Sequence, residues 1–260
     1  MEHKARKRFG QNFLTDRSMI QRIVDTINPV AGELVLEIGP GQAAISQPLS
    51  ESGAELHLLE IDRDLAARLK LMFEPTGSAR VHQGDALRID FSDIVNKRPF
   101  RLVGNLPYNI STPLLFHVLQ WHELVIDMHF MLQQEVVKRM AAQPGTKAWG
   151  KLSVMCQYHC EVMPLFVVPP EAFFPAPRVQ SMFVKLVPHR QPPVEIHDMT
   201  AFKGLVSQAF SMRRKTLRNS LRALLNARQI ESCGIDPAAR PETLGLEQFA
   251  NLASLLETEQ

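Results

Sequence analysis

Leu34-Val35-Leu36-Glu37-Ile38-Gly39-Pro40-Gly41 is a short, mostly apolar run that passes straight into a glycine turn. Its length and lack of alternation read as a buried strand. Gly39 and Gly41 let the backbone approach a ligand with no Cβ in the way. A helical stretch to about Ser52 follows. Strand, glycine turn and helix open a nucleotide-binding α/β unit. A full G-x-G-x-x-G would need a third glycine where Ala44 stands, so a pyrophosphate fits poorly. E-x-G-x-G suits a ligand with an amino-acid moiety instead. Taken alone, the same residues also describe a tight turn that binds nothing.

Downstream, three further strands each end on a polar side chain. The strand at 56–59 runs into Glu60, which falls 19 residues after Gly41. An acid at about that distance binds ribose hydroxyls in dinucleotide folds, and a carboxylate can accept from both the 2′- and 3′-OH. The strand at 80–82 leads to Asp85, a candidate acceptor for an adenine amino group. The strand at 100–103 delivers Asn105. In a parallel sheet the turn, Glu60, Asp85 and Asn105 line one edge, and this ordered series says more than any single member.

Asn105-Leu106-Pro107-Tyr108 precedes Ser111-Thr112-Pro113, a helix start. The Asn105 side-chain oxygen and the Pro107 carbonyl can accept hydrogen bonds, and Tyr108 offers a flat face. Two acceptors beside a stacking face suit a planar ring with an exocyclic NH2, such as adenine. Such an amine is a poor nucleophile because its lone pair is delocalised. Two acceptors on its N–H bonds favour a pyramidal nitrogen that can attack. This is the N-P-P-Y logic of amino-methyltransferases, with Leu106 at the second position. The plainer reading of these residues is a proline corner with Tyr108 half-buried.

The rest of the chain places this edge in context. Asp16 caps a helix that Asn28-Pro29 ends, and Phe9, Phe13 and Leu14 argue that the segment before it folds back onto the body. Strands at 125–132, 162–168 and 181–187 follow, the last two read as an antiparallel pair. Between them, the four prolines of 169–177 stiffen a loop that holds Phe173 and Phe174. From Asp198 the pattern is helical, and the expected division is a domain of residues 1–189 and a small helical domain of 190–260. A helix over 212–225 would carry its leucines on one side.

The net charge is +2 over 260 residues, which says little about partners, but its distribution is uneven. Residues 203–230 hold Lys203, Arg213, Arg214, Lys215, Arg218, Arg222 and Arg228 with no Asp or Glu, and Lys4, Arg6, Lys7 and Arg8 cluster near the N-terminus. Two basic clusters on a neutral body point to an anionic polymer. The three cysteines are sparse, as in a reducing compartment. Cys156, His159 and Cys160 lie close in sequence but have no second ligand pair, so core packing is expected and no metal. With no signal peptide and no membrane-length apolar run, a soluble cytoplasmic protein is expected.

Together these motifs resemble the ribosomal RNA adenine dimethylase family. Phe-Gly-Gln-Asn-Phe-Leu stands at 9–14, Glu-Ile-Gly-Pro-Gly at 37–41 and Asn-Leu-Pro-Tyr-Asn-Ile-Ser at 105–111. Pro170, Phe173, Pro175, Pro177 and Val179 match the family's proline loop, and Phe210-x-x-Arg213-Arg214-Lys215 its C-terminal signature. The likeness runs from about Lys4 to the end. Ala43 stands where many relatives carry a third glycine.

The resemblance implies a Rossmann-like α/β methyltransferase domain with an antiparallel last strand, a helical C-terminal domain and S-adenosylmethionine as methyl donor. By this likeness Asn12, Leu14, Gly39, Glu60, Asp85 and Asn105 bind the donor. Asn105 and the region of Pro107 hold the target N6, Leu106 belongs to the same catalytic corner, and Tyr108 and Phe173 stack on the base. Lys151, Arg213, Arg214, Lys215 and Arg218 contact RNA. The implied reaction is dimethylation of two adjacent adenines in the 3′-terminal hairpin of 16S rRNA, within the small ribosomal subunit, by a monomer acting in ribosome biogenesis. Such bases unstack readily and must leave the stack to react. Two rival readings stand beside it: a large-subunit rRNA adenine methyltransferase of the macrolide-resistance type, and a non-catalytic assembly or transcription factor with the same fold.

Overall fold

The computed structural model describes residues 12–107, 110–212 and 214–257. The roles expected of Tyr108 and Arg213 therefore lie outside the described residues, as does the first half of the 9–14 motif. In chain order the first elements are β1 (Phe13–Leu14), α1 (Arg17–Ile27), β2 (Leu34–Ile38), α2 (Ser46–Ser50), β3 (Glu55–Glu60), α3 (Arg63–Phe73) and β4 (Arg80–Gln83). Next come α4 (Phe91–Ile94), β5 (Phe100–Asn105), α5 (Ser111–Val118), β6 (Val125–Gln133), α6 (Gln134–Met140) and α7 (Lys151–His159). Then follow β7 (Cys160–Val168), β8 (Phe173–Phe174) and β9 (Ser181–Pro188), and after them, among the described residues, helices without strands: α8 (Met199–Ala209), α9 (Leu217–Ser220), α10 (Ala227–Ser232) and α11 (Leu246–Glu257).

Seven strands form one sheet in the order β4-β3-β2-β5-β6-β9-β7. β4, β3, β2, β5 and β6 run parallel, and β9 is antiparallel to β6. β2 is buried along its whole length, which is why it reads as a continuous apolar run and not as an alternation. It sits between β3 and β5, where the strand order reverses. At such a switch point the loops leave in opposite directions and open a crevice at the carboxyl ends of the strands.

The strand that carries Asn105 is pinned at its other end. Arg101 is buried and donates to both Asp127 oxygens at 2.9 and 3.1 Å, to Glu33 Oε2 at 3.0 Å and to the Ile27 carbonyl at 2.7 Å. Burial works against the Asp127 charge, but His129 and Arg101 outweigh it and hold that carboxyl well below the usual range. The guanidinium thus ties β5 to β6 and to the end of α1. Asp16 starts α1 by accepting from the Met19 N–H at 3.0 Å, and Asn28 ends it in the left-handed conformation.

The chain divides into two compact units, Met1–Val137 with Met163–Pro188, and Lys138–Val162 with His189–Gln260. One boundary between the units falls between Pro188 and His189, and residues 138–162 go with the C-terminal helices. Contacts distant in sequence put them there. Trp149 Nε1 donates to the Leu244 carbonyl at 2.9 Å and the Gly145 N–H to the Glu242 carbonyl at 2.7 Å. Periodicity carries no trace of such pairings.

Within the second unit, Asp198 caps α8, which buries Phe202, Leu205, Val206 and Ala209. The helix expected over 212–225 is broken. Only α9 forms, because the N–H groups of Leu217 and Arg218 bond to the carbonyls of Ala239 at 2.9 Å and Pro237 at 3.0 Å. Leu217, Leu221 and Leu225 are buried, but Leu224 is 36% exposed, off the apolar face predicted for it. Cys156 and Cys160 are buried, and desolvation pushes both thiols well above their ordinary values.

Candidate active site

A cavity opens at the carboxyl ends of β2, β3, β4 and β5. It is lined by the glycine turn after β2, by Glu60, by Asp85, by Asn105 to Pro107 and by Asn12 to Leu14. The four strand-end features read from the sequence therefore meet at one place. Parallel register brings them together: Glu37 pairs with Val103 and Leu58, and Glu60 with Gln83.

Glu60 is almost fully buried, and each of its oxygens already takes one backbone N–H. Oε2 accepts from Gly41 at 3.1 Å and Oε1 from Asp62 at 2.9 Å. Burial nevertheless raises its pKa above the ordinary value. Each oxygen keeps a lone pair for a further donor, which matches a vicinal diol. The Gly41 N–H reaches Glu60 because Gly41 takes φ +56°, and a Cβ there would stand 3.1 Å from the Phe13 ring. Ala43, at the missing third glycine, adopts φ +68° regardless. Its methyl points into the core and not into the cavity, so the strain of a left-handed alanine, about 1 kcal/mol, is offset by burial.

Asn105 donates from Nδ2 to the Asn12 carbonyl at 3.0 Å. That carbonyl can only accept, so the amide orientation is fixed and Oδ1 is left as the outward acceptor. Leu106 is buried, and its N–H bonds to the Met131 carbonyl at 3.3 Å. The Pro107 carbonyl, expected as the second acceptor, already receives the Ile110 N–H at 3.1 Å and the Ser111 hydroxyl at 3.2 Å. Both its lone pairs are engaged. Among the described residues nothing donates to the Leu106 carbonyl, and Pro107 holds that carbonyl rigid. Of the two carbonyls, that of Leu106 and not that of Pro107 is open to a further donor.

Gly104 was not singled out from the sequence. A Cβ on it would lie 2.7 Å from the Ile38 carbonyl and 3.0 Å from Leu106 Cδ2. Glycine here lets β5 approach β2 closely enough to seat Leu106. Glu37 was read only as part of the turn pattern. It is 2% exposed, faces the cavity, and its Oε2 has no hydrogen-bond partner among the described residues; nor has the Ser46 hydroxyl. Burial pushes the Glu37 carboxyl up to about 7; the Ser46 hydroxyl nearby works against this and Glu60 adds to it. A buried polar atom with no partner leaves a place for a donor from a ligand or from water.

Leu14 is buried and lines the cavity, as does Gly39. Asp85 lies on the rim, with Oδ1 accepting from the Leu87 N–H at 3.0 Å and Oδ2 at 3.6 Å from Arg88. Phe173 is elsewhere. It is 4% exposed, packs in the core with Leu14 and lines no part of the cavity. It presents no free ring face to a base. In the second unit Lys151, Arg214, Lys215 and Arg218 are all exposed, and no carboxylate pairs with them among the described residues. Arg214 and Lys215 lie on a turn and Arg218 on the short α9.

A doubly wound sheet whose cavity combines a buried acid at the end of β3, a second carboxyl with an unpartnered oxygen and an Asn-Leu-Pro corner has the make-up of a Rossmann-like methyltransferase of the S-adenosylmethionine-dependent class. The chain belongs to the ribosomal RNA adenine dimethylase family, whose model matches residues 2–258. It is 52% identical over 260 residues to the Ribosomal RNA small subunit methyltransferase A of Pseudomonas putida, covering 100% of this chain and 97% of that protein. The protein of the same name from Proteus mirabilis is 48% identical over 260 residues, with 99% and 96% covered. Among solved structures, the 23S rRNA methyltransferase ErmE superposes with TM-score 0.74 at 25% identity, over 95% of this chain and 100% of that one. A dimethyladenosine transferase from Plasmodium falciparum has the same fold, with TM-score 0.80 at 22% identity over 95% and 98% of the two chains.

Proposed function

We propose that this protein transfers methyl groups from S-adenosylmethionine to the N6 of two adjacent adenines in the 3′-terminal hairpin of 16S rRNA, within the small ribosomal subunit. It acts as a cytoplasmic monomer in ribosome biogenesis. The observation that carries the reading is the orientation of Asn105: its Nδ2 is held by the Asn12 carbonyl, which leaves Oδ1 as an acceptor on a residue that lines the cavity together with Leu106. Near 50% identity to small-subunit enzymes supports this substrate over the large-subunit alternative. The intact clamp, Glu60 and Asp85 speak against a purely non-catalytic factor.

The residues present fit the donor. Glu60 accepts from the ribose hydroxyls, Asp85 from the adenine amino group, and the unpartnered Glu37 offers countercharge to an ammonium. Leu14 and Gly39 pack along it, and Asn12 closes that side while holding Asn105. When bound, S-adenosylmethionine supplies an electrophilic methyl. In the first transfer Asn105 Oδ1 and the Leu106 carbonyl each take an N–H of the target amine and free its lone pair; in the second a single N–H remains for one of the two acceptors. The proton leaves easily once the nitrogen is alkylated, so no strong base is required. Tyr108 supplies a stacking face. Unmethylated small subunits incubated with methyl-labelled donor should accumulate label as N6,N6-dimethyladenosine, while large subunits stay unlabelled. Label on large subunits would favour the macrolide-resistance type, and no label on either would favour the assembly factor.

To Lys151, Arg213, Arg214, Lys215 and Arg218 of the second unit we assign the RNA contacts. Each phosphate contact releases counterions, so R214A with K215A should flatten the log–log salt dependence of subunit binding by about 0.7–0.9 per lost contact. Donor affinity should stay unchanged. An unaltered slope in filter-binding titrations would assign these residues to the fold alone.

A further inference from the structure

The two-residue ladder between β1 and β8 separates two aromatic neighbours. Phe13 pairs with Phe174 and Leu14 with Phe173, antiparallel. Directly paired residues of such a ladder project to the same side, and successive residues to opposite sides. Leu14 and Phe173 are both buried and belong to the core cluster. Phe13 is on the other side, where its ring lines the cofactor cavity beside Gly41. Phe174 shares that side and is 73% exposed. The position is held from both ends: Thr15 N–H bonds to the Ala172 carbonyl at 2.8 Å, and Pro175 and Pro177 follow. Beyond it Arg178 is exposed, with no carboxylate paired to it among the described residues, and no Asp or Glu occurs from 172 to 194.

An exposed phenylalanine on a fixed backbone gains nothing from folding. It has already lost the backbone freedom that a binding surface would otherwise have to restrict. An exposed flat ring followed four residues later by an exposed arginine, on an acid-free and proline-stiffened segment, matches the stacking-plus-phosphate chemistry of single-stranded nucleic-acid binding. We infer that Phe174 and Arg178 form a platform beside the cofactor cavity, on which one unpaired base of the RNA substrate stacks while Arg178 holds its phosphate. This rests on the RNA-methylating function proposed above and concerns a base other than the one that reacts.

The test uses the full chain as F174A, F174W and R178A. F174A should bind unmethylated small subunits about five- to tenfold more weakly, the lower end of what one stacked base contributes. F174W should retain binding, and donor affinity should be unaltered in both. R178A should reduce the salt dependence of binding. Tryptophan emission of F174W, corrected for the wild-type signal, should be quenched by a short single-stranded oligoadenylate. Quenching by that probe without methylation of small subunits would uphold the platform and reject the substrate. F174A binding within twofold of wild type, with no quenching in F174W, would overturn the inference. A loss of subunit binding that is matched by an equal loss of donor affinity would do the same.

Discussion

Asn105→Ala will slow methyl transfer by about a hundred- to a thousandfold while leaving the protein folded. Removing a preorganised polar group aimed at charge that develops in the transition state typically has that effect. The preorganisation is visible. The Asn12 carbonyl holds Nδ2 at 3.0 Å and so fixes where Oδ1 points. Alanine leaves the Leu106 carbonyl as the sole acceptor, and the target amine stays conjugated with its ring. Aspartate would not rescue the reaction, because one of its oxygens would face the Asn12 carbonyl, acceptor against acceptor. Single-turnover labelling at saturating donor measures the chemical step directly. A rate within tenfold of wild type would place activation of the amine elsewhere.

Glu60→Ala should weaken S-adenosylmethionine binding by about tenfold to a hundredfold, the range for losing a hydrogen bond to a charged acceptor at roughly 1.5–3 kcal/mol. The carboxylate does two things at once. It faces the ligand, and through Gly41 and Asp62 it fixes the glycine turn against β3. Glutamine is no substitute, since its NH2 would confront one of those backbone N–H groups. The accepting form is the ionised one, and burial raises its pKa. Donor affinity should therefore fall as acidification carries pH down through that raised value. Calorimetry on the folded variant decides, and unchanged affinity would remove Glu60 from the cofactor site.

The division of labour between sequence and fold follows from the range of each interaction. A strand buried on both faces has to be apolar throughout, so β2 announced itself. A glycine turn and an acid at ribose spacing are fixed by local backbone geometry. Glu60, Asp85 and Asn105 could therefore be placed on one edge from the order of elements alone. Asp16 and Asp198 marked their helices because a cap bonds within a few residues.

What depends on distant contacts was out of reach. Which carbonyl of the Asn-Leu-Pro corner is available turns on Ile110 and Ser111 having taken the Pro107 carbonyl. The helix expected over 212–225 fails because its N–H groups find partners at Pro237 and Ala239. Residues 138–162 join the C-terminal unit through Leu244 and Glu242. The apolar character of Phe173 and Phe174 is identical, and only their register against Phe13 and Leu14 sends one ring to the core and the other to solvent. The sequence by itself determined the fold class and the edge of the sheet where the chemistry sits. The tertiary structure decided which atoms on that edge are free to act, because a hydrogen-bond acceptor is available only when no partner remote in the chain has claimed it.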